Sequence, residues 1–165
     1  MFMRILACAL ALWVLTGCSR QVISREALLL TDQTAPFAAV RENPAAHVDR
    51  YLLVGGAVAR ISNTPEGAEL EVVQFPLGSS DRPDEKKGSE GRFLARSRGF
   101  LDPLIYKPGR LVTLVGKVTG GVTRPLEGVN YRYPVLEVRE IHPWKPEDPY
   151  APPPFHFGIG VGVGL

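Results

Sequence analysis

The chain has 165 residues, 45% hydrophobic and 22% charged, which fits one ordinary globular domain and excludes wholesale disorder. A net charge of +2 gives no surplus of cations for nucleic acid, and two cysteines argue against a disulfide scaffold or a Cys-rich zinc site. Gly 17 and Pro 15 together make about a fifth of the chain, a density that long uninterrupted helices do not tolerate.

Met1 to Arg4 carries one positive charge, and Ile5 to Leu15 is an unbroken apolar run. As a helix that run spans roughly 16 Å, about half of a bilayer core, so it reads as a secretory signal peptide and not as a membrane span. Leu15-Thr16-Gly17-Cys18 then resembles the lipobox of bacterial lipoproteins. The Cys18 thiol is the nucleophile that takes a diacylglyceryl group, and small Gly17 and Thr16 leave the backbone open to a peptidase. Residues 1–17 are expected to be removed, taking Cys8 and Arg4 with them and leaving a nearly neutral chain. Ser19 in place of Asp after the modified cysteine implies, by the same resemblance, the outer rather than the inner membrane.

Residues 18–34 have no clear period and read as the lipidated cysteine and a tether; Leu28-Leu29-Leu30 is left to dock either on the domain or on the membrane. Thr34-Ala35-Pro36 predicts a short helix capped by Thr34, with Phe37 and Val40 on one face and Asn43-Pro44 as its end. From Tyr51 the alternation becomes that of strands. Tyr51 to Ile61 is apolar on both faces, with Gly55-Gly56 marking a bend, bulge or close backbone approach. After a turn at 62–67, the stretch 68–77 sets Leu70 and Val72 against Glu69 and Glu71. A charged loop follows over 78–90, in which Asp81, Asp84 and Glu85 alternate with Arg82, Lys86 and Lys87. Gly91 to Ser97 sets Phe93 and Ala95 against Arg92, Leu94 and Arg96. Asp102-Pro103 starts a single helical turn ending near Tyr106, and Lys107-Pro108-Gly109 turns the chain. Arg110 to Thr119 sets Val112, Leu114, Gly116 and Val118 against Thr113, Lys117 and Thr119. Residues 120–130 read as a loop, and Tyr131 to Ile141 as a last strand that Pro134 starts at an edge.

Leu53-Val54-Gly55-Gly56-Ala57-Val58 and Leu114-Val115-Gly116-Lys117-Val118 echo one another, each with glycine where a strongly bent strand needs it. An all-β fold follows for 35–144: a small closed or partly open five- to six-stranded barrel of the oligonucleotide/oligosaccharide-binding (OB) type with short helices, a small β-sandwich being the alternative. Residues 145–165 form a Pro- and Gly-rich tail, and the Gly-alternating end from Phe157 to Leu165 reads as a flexible tail or a late strand.

Several motifs in one order carry a more specific resemblance. They are Val54-Gly55-Gly56, Leu70-Glu71-Val72, Phe75-Pro76-Leu77, Gly91-Arg92-Phe93, Gly99-Phe100-Leu101-Asp102-Pro103, Tyr106-Lys107-Pro108-Gly109-Arg110, Val115-Gly116-Lys117-Val118 and Tyr131-Arg132-Tyr133-Pro134-Val135. Together with the lipobox they resemble the Slp family of bacterial outer-membrane lipoproteins. His142-Pro143-Trp144 departs from that pattern, where an apolar residue is expected before the tryptophan. The resemblance implies a starvation- or stationary-phase envelope protein, and it implies no catalytic residue.

Chemistry sought from the residues themselves is sparse. His47, His142 and His156 stand apart, without the spacing of metal ligands, so no metal and no cofactor is expected. No nucleophile elbow or P-loop occurs. An enzyme would need Asp102, His142 and an arginine to converge, which no spacing predicts. The leading expectation is therefore a non-enzymatic lipoprotein, lipid-anchored at Cys18 in the outer membrane, facing the periplasm, and contacting another envelope protein or peptidoglycan. The alternative is a ligand module whose face of Tyr131, Tyr133 and Phe93, with Arg92, Arg96, Arg98 and Arg110, would hold an oligosaccharide, a peptidoglycan fragment or a lipid headgroup.

Overall fold

Five strands carry the alternating segments in the computed structural model, which describes residues 21–146. They are β1 (Tyr51–Thr64), β2 (Gly67–Gln74), β3 (Gly91–Ser97), β4 (Leu111–Leu126) and β5 (Val129–Pro143). The sheet closes on itself in the order β1-β2-β3-β5-β4. Neighbours are antiparallel except β3 and β5, which run parallel where Leu94–Arg96 meets Val135–Glu137. This five-stranded ring has OB-type connectivity, and a single sheet closed on itself replaces the sandwich alternative.

Closure depends on β1 serving two partners. Its first half pairs with β4 from Tyr51↔Lys117 to Ala57↔Leu111, and its second half pairs with β2 from Gly56↔Gln74 to Thr64↔Gly67. The changeover falls on Gly55-Gly56-Ala57, followed by a register shift between Val58 and Arg60. Backbones crowd there: a Cβ on Gly56 would lie 1.9 Å from the Val73 carbonyl oxygen. The glycine pair read as a bend is thus the corner of the sheet.

On β2 to β5 the core side is the one the alternation assigned, and on β1, apolar on both faces in the sequence, it is the side of Leu52, Val54 and Val58. These three with Leu70, Val72, Phe93, Ala95, Val112, Leu114, Val118 and Leu136 form one core. The ring has two open ends, and each is plugged. The 99–109 connection supplies Leu101 and Tyr106 to the core, and Asp102 begins its one helical turn by accepting from Leu104 N–H at 2.8 Å. Helix α2 (Phe37–Glu42), followed by a 3-10 turn at Pro44–His47, supplies Phe37 and Val40. The Phe37 ring meets the Phe93 edge with centroids 5.8 Å apart. Pro36, not Thr34, sits at the cap position of α2, and no side chain caps it. Thr34 instead folds back in a turn on Asp32, donating through its N–H and hydroxyl to Oδ1 at 2.9 and 2.6 Å.

Three other expectations change. The described part of the tether, 21–34, is folded onto the ring. Helix α1 (Arg25–Leu29) buries Ala27, and Ile23 before it, against Val115, with Tyr51 and Leu53 alongside. Five residues were too few for a helical period to be read. Second, the turn at 62–67 shrinks to Pro65 and Glu66, because β1 runs on to Thr64. Third, the loop expected at 120–130 is a hairpin arm: Gly120↔Val135 through Leu126↔Val129 stay paired. Its two-residue turn has Glu127 at φ 47° and Gly128 at φ 88°, the mirror-image geometry that matches strand twist. Glutamate supplies no such signal in a sequence, so the arm reads as irregular. The Pro/Gly-rich tail lies outside the described residues beyond Pro146, and the Cys18 lipobox lies outside them too.

Candidate functional site

In OB-type barrels the outer face of β2 and β3, between the β1–β2 and β4–β5 loops, is the usual ligand surface. Here Glu69 and Glu71 point outward from β2, and Arg92, Leu94 and Arg96 from β3, as the alternation assigned. The pairing sets Glu69 opposite Arg96 and Glu71 opposite Leu94. The arm formed by the ends of β4 and β5 then lies over this face. Tyr133, Val135, Val122 and Tyr131 close over Leu94, so an outward leucine becomes buried.

The arm also completes two charge clusters. Glu71 is only 7% exposed. It accepts from Arg92 at 2.7 Å, from Arg60 at 3.2 Å and from the Tyr133 hydroxyl at 3.2 Å. Glu69 accepts from Arg96 at 2.9 Å and from both terminal nitrogens of Arg124 at 2.6 and 3.2 Å. Burial pushes the Glu69 carboxyl up, but bonds from Arg124 and Arg96 outweigh it and hold it below the ordinary range. The Tyr133 phenol is pushed up, first by burial and then by the Glu71 charge. Tyr131 rests edge-on to Tyr133 with centroids 4.7 Å apart, and its hydroxyl oxygen accepts from the Arg92 backbone N–H at 2.8 Å.

The candidate ligand face therefore does not form as expected. Tyr133 and Phe93 are buried, at 2% and 0% exposure, and offer no ring to a ligand. Arg92 and Arg96 are matched to Glu71 and Glu69, and Arg98 to Glu137 at 2.5 Å. Arg110 is not part of this face. It stands just before β4, donating to the Ile105 and Trp144 carbonyls at 2.9 and 2.8 Å, whereas Tyr131 pairs with Arg124 near the far end of that strand. The four arginines do not gather into one patch: Arg92, Arg96 and Arg98 each meet a glutamate, and Arg110 stands apart.

Arg110 instead borders a hollow of about 720 Å³, shared with Arg82, Lys86, Lys107, Trp144 and Lys145. The Arg82 guanidinium lies 5.2 Å from the Trp144 ring centroid. Trp144 Nε1–H donates to the buried Thr113 hydroxyl at 2.9 Å, and Thr113 donates to the Asp81 carbonyl at 2.6 Å, which explains a polar residue inside β4. At the departure His142-Pro143-Trp144, His142 and Pro143 still extend β5 by pairing with Thr113 and Val112, His142 packs edge-on to Trp144 at 5.0 Å, and burial lowers the pKa of its imidazole. Asp102 and His142 share no hydrogen bond or ion pair: the one begins the 99–109 turn, the other pairs with Thr113 on β4. Among the described residues no group of three His, Cys, Asp or Glu could hold a metal ion. His156 lies outside them.

Glu69, Glu71, Arg60 and Arg124 were the residues missed. Two glutamates two apart on one strand, facing arginines four apart on the next outward face, was a readable signal for the first pair. Arg124 was hidden by the loop reading of 120–130.

The described residues thus form a closed OB-type ring whose outer β2–β3 face is covered by its own hairpin arm. The sequence model of the Outer membrane lipoprotein Slp family matches residues 15–159, and the chain belongs to that family. It is 34% identical to "Uncharacterized lipoprotein YeaY" of Escherichia coli (strain K12) over 105 residues, 64% of this chain and 54% of the relative. It is 32% identical to "Outer membrane protein Slp" of the same organism over 108 residues, 66% of this chain and 57% of the relative. An "Uncharacterized protein" of Haemophilus influenzae is 28% identical over 92 residues, 55% of this chain and 50% of the relative. The chain spans about half the length of the curated relatives it matches.

Proposed function

We propose that this chain is a non-catalytic lipoprotein held in the outer membrane by acylated Cys18, with its barrel facing the periplasm. In that position it supports the envelope under starvation or stress by contacting another envelope protein or peptidoglycan. The observation that carries the reading is the start of the family match at Leu15, the first residue of the tetrapeptide ending in Cys18. One acyl chain holds a protein only marginally, and two or more on the same cysteine hold it stably. The β2–β3 face supports the non-catalytic part, because both of its carboxylates, Glu69 and Glu71, are engaged by arginines of the protein itself.

Metabolic labelling with palmitate tests the anchor. The parent should take up label and sediment with outer membranes, whereas Cys18→Ser should lose the label and leave that fraction. Label retained by Cys18→Ser, or an unlabelled parent in the soluble fraction, refutes the reading. Loss of the protein should lower detergent and osmotic tolerance in stationary phase, and unchanged tolerance refutes the envelope role.

A further inference from the structure

The described chain begins at Gln21, three residues after Cys18. Three extended residues reach no more than about 10 Å. With acyl chains on Cys18, the surface around Gln21 is therefore held at headgroup level; this step rests on the anchor proposed above.

That surface is not a loose leash. Ile23 and Ala27 are buried against Val115, Ser24 donates to Glu140 through its N–H at 2.9 Å and its hydroxyl at 2.5 Å, and Arg139 meets Glu26 at 3.1 Å. These contacts tie α1 to β4 and β5, so the anchor leads into a rigid body and fixes which side of the ring meets the bilayer. The leucine triplet divides across this helix end. Leu28 packs toward Val115, Tyr51 and Leu53, while Leu29 is 77% and Leu30 45% exposed. Val48, 44% exposed, lies in the adjoining segment: Asp32 joins it through an ion pair to Arg50 at 2.8 Å and through its N–H to the Tyr51 carbonyl at 2.8 Å. Arg25 and Arg50 lie on the same segments together with Glu26, Asp32 and Asp49, so the charges there offset and the apolar side chains carry the case for lipid. Exposed leucines and valine beside a lipid anchor suit the boundary between acyl chains and headgroups.

We propose that Leu29, Leu30 and Val48 form an interfacial surface that lies on the bilayer beside the Cys18 anchor. The partner is lipid, because the short chain to Cys18 leaves no other component as near. This contact is a second attachment signal that holds the barrel in one orientation. The remaining large exposed apolar groups, Phe100, Leu104 and Ile105 on the 99–109 connection and Val129 on the hairpin arm, have no such tie to the anchor.

The test uses the full-length lipidated protein, in which acylation consumes the Cys18 thiol. Leu29→Cys and, as a control, Val129→Cys each carry an environment-sensitive fluorophore and are reconstituted in phosphatidylethanolamine/phosphatidylglycerol vesicles. Both sites are exposed, so neither change disturbs the core. The proposal expects blue-shifted emission at Leu29 that is quenched by lipid bearing a nitroxide near its headgroup, with water-like emission at Val129. Floating vesicles carrying protein whose two probes both emit as in water overturn the surface and leave the anchor standing. Protein that does not float with the vesicles overturns both. Blue-shifted emission that ignores the nitroxide and grows with protein density assigns the face to a second copy of the chain, and overturns the lipid assignment.

Discussion

Gly56→Ala is the sharpest perturbation of the corner that closes the ring. The added carbon would lie 1.9 Å from the Val73 carbonyl oxygen, 2.7 Å from the carbonyl carbon and 2.9 Å from the Gln74 Cα. All three are backbone atoms, so no rotamer change relieves them. A carbon and an oxygen in close contact stand about 3.3 Å apart, so β1 and β2 must separate by more than ~1 Å at a point where they are hydrogen-bonded. The neighbouring bond from Phe75 N–H to the Gly55 carbonyl, 3.0 Å long, lies beside that displacement. Overpacking costs about 1–3 kcal/mol and the weakened ladder bond about 1 kcal/mol, which gives roughly 2–4 kcal/mol. At about 4 °C per kcal/mol for a domain of this size, Tm falls by roughly 8–16 °C. The assay is far-UV circular dichroism of the purified protein, heated alongside Gly78→Ala. At Gly78 the nearest atom to an added Cβ is 3.5 Å away, and that variant should stay within about 0.5 kcal/mol of the parent. A Gly56→Ala protein that melts with the Gly78→Ala control would refute the account of how β1 turns between its partners.

The covered face yields two more outcomes. Tyr133→Phe removes the hydroxyl that donates to Glu71 while the carboxylate keeps Arg92 and Arg60, so urea titration should read a loss of about 1–2 kcal/mol; parent-like stability would remove the hairpin arm's polar tie to β2. Glu69 is held below its ordinary value of 4.5, so its contribution is present above that pH and is lost as pH falls through the lowered value. Melts between pH 6 and pH 3 should therefore show a shallower acid limb for Glu69→Gln than for the parent, and an equal or steeper limb would contradict the Arg124–Arg96 pairing.

The strand pattern was legible because burial repeats every second residue. Leu70 and Val72, Phe93 and Ala95, and Val112 and Leu114 face one core in both readings. Gly55-Gly56 was legible as a bend because only glycine tolerates such close backbone approach, and Phe37 with Val40 because they share one side of two helical turns. Alternation along one strand does not reveal what covers its outer face. Leu94 looked solvent-facing beside Arg92 and Arg96 until Tyr133 and Val135 were brought over it from a distant strand.

The sequence alone determined local matters: the short apolar run ahead of Cys18, the period of the strands, and the polar and apolar sides of most of them. Those are set by neighbours along the chain. Tertiary structure decided that Arg92, Arg96 and Arg98 meet Glu71, Glu69 and Glu137, that Arg110 belongs to another part of the surface, and that α1 is fastened to the ring. Each of these depends on a pairing between segments far apart in the chain, where the free energy of a charge is set by the partner it meets and not by its neighbours in sequence.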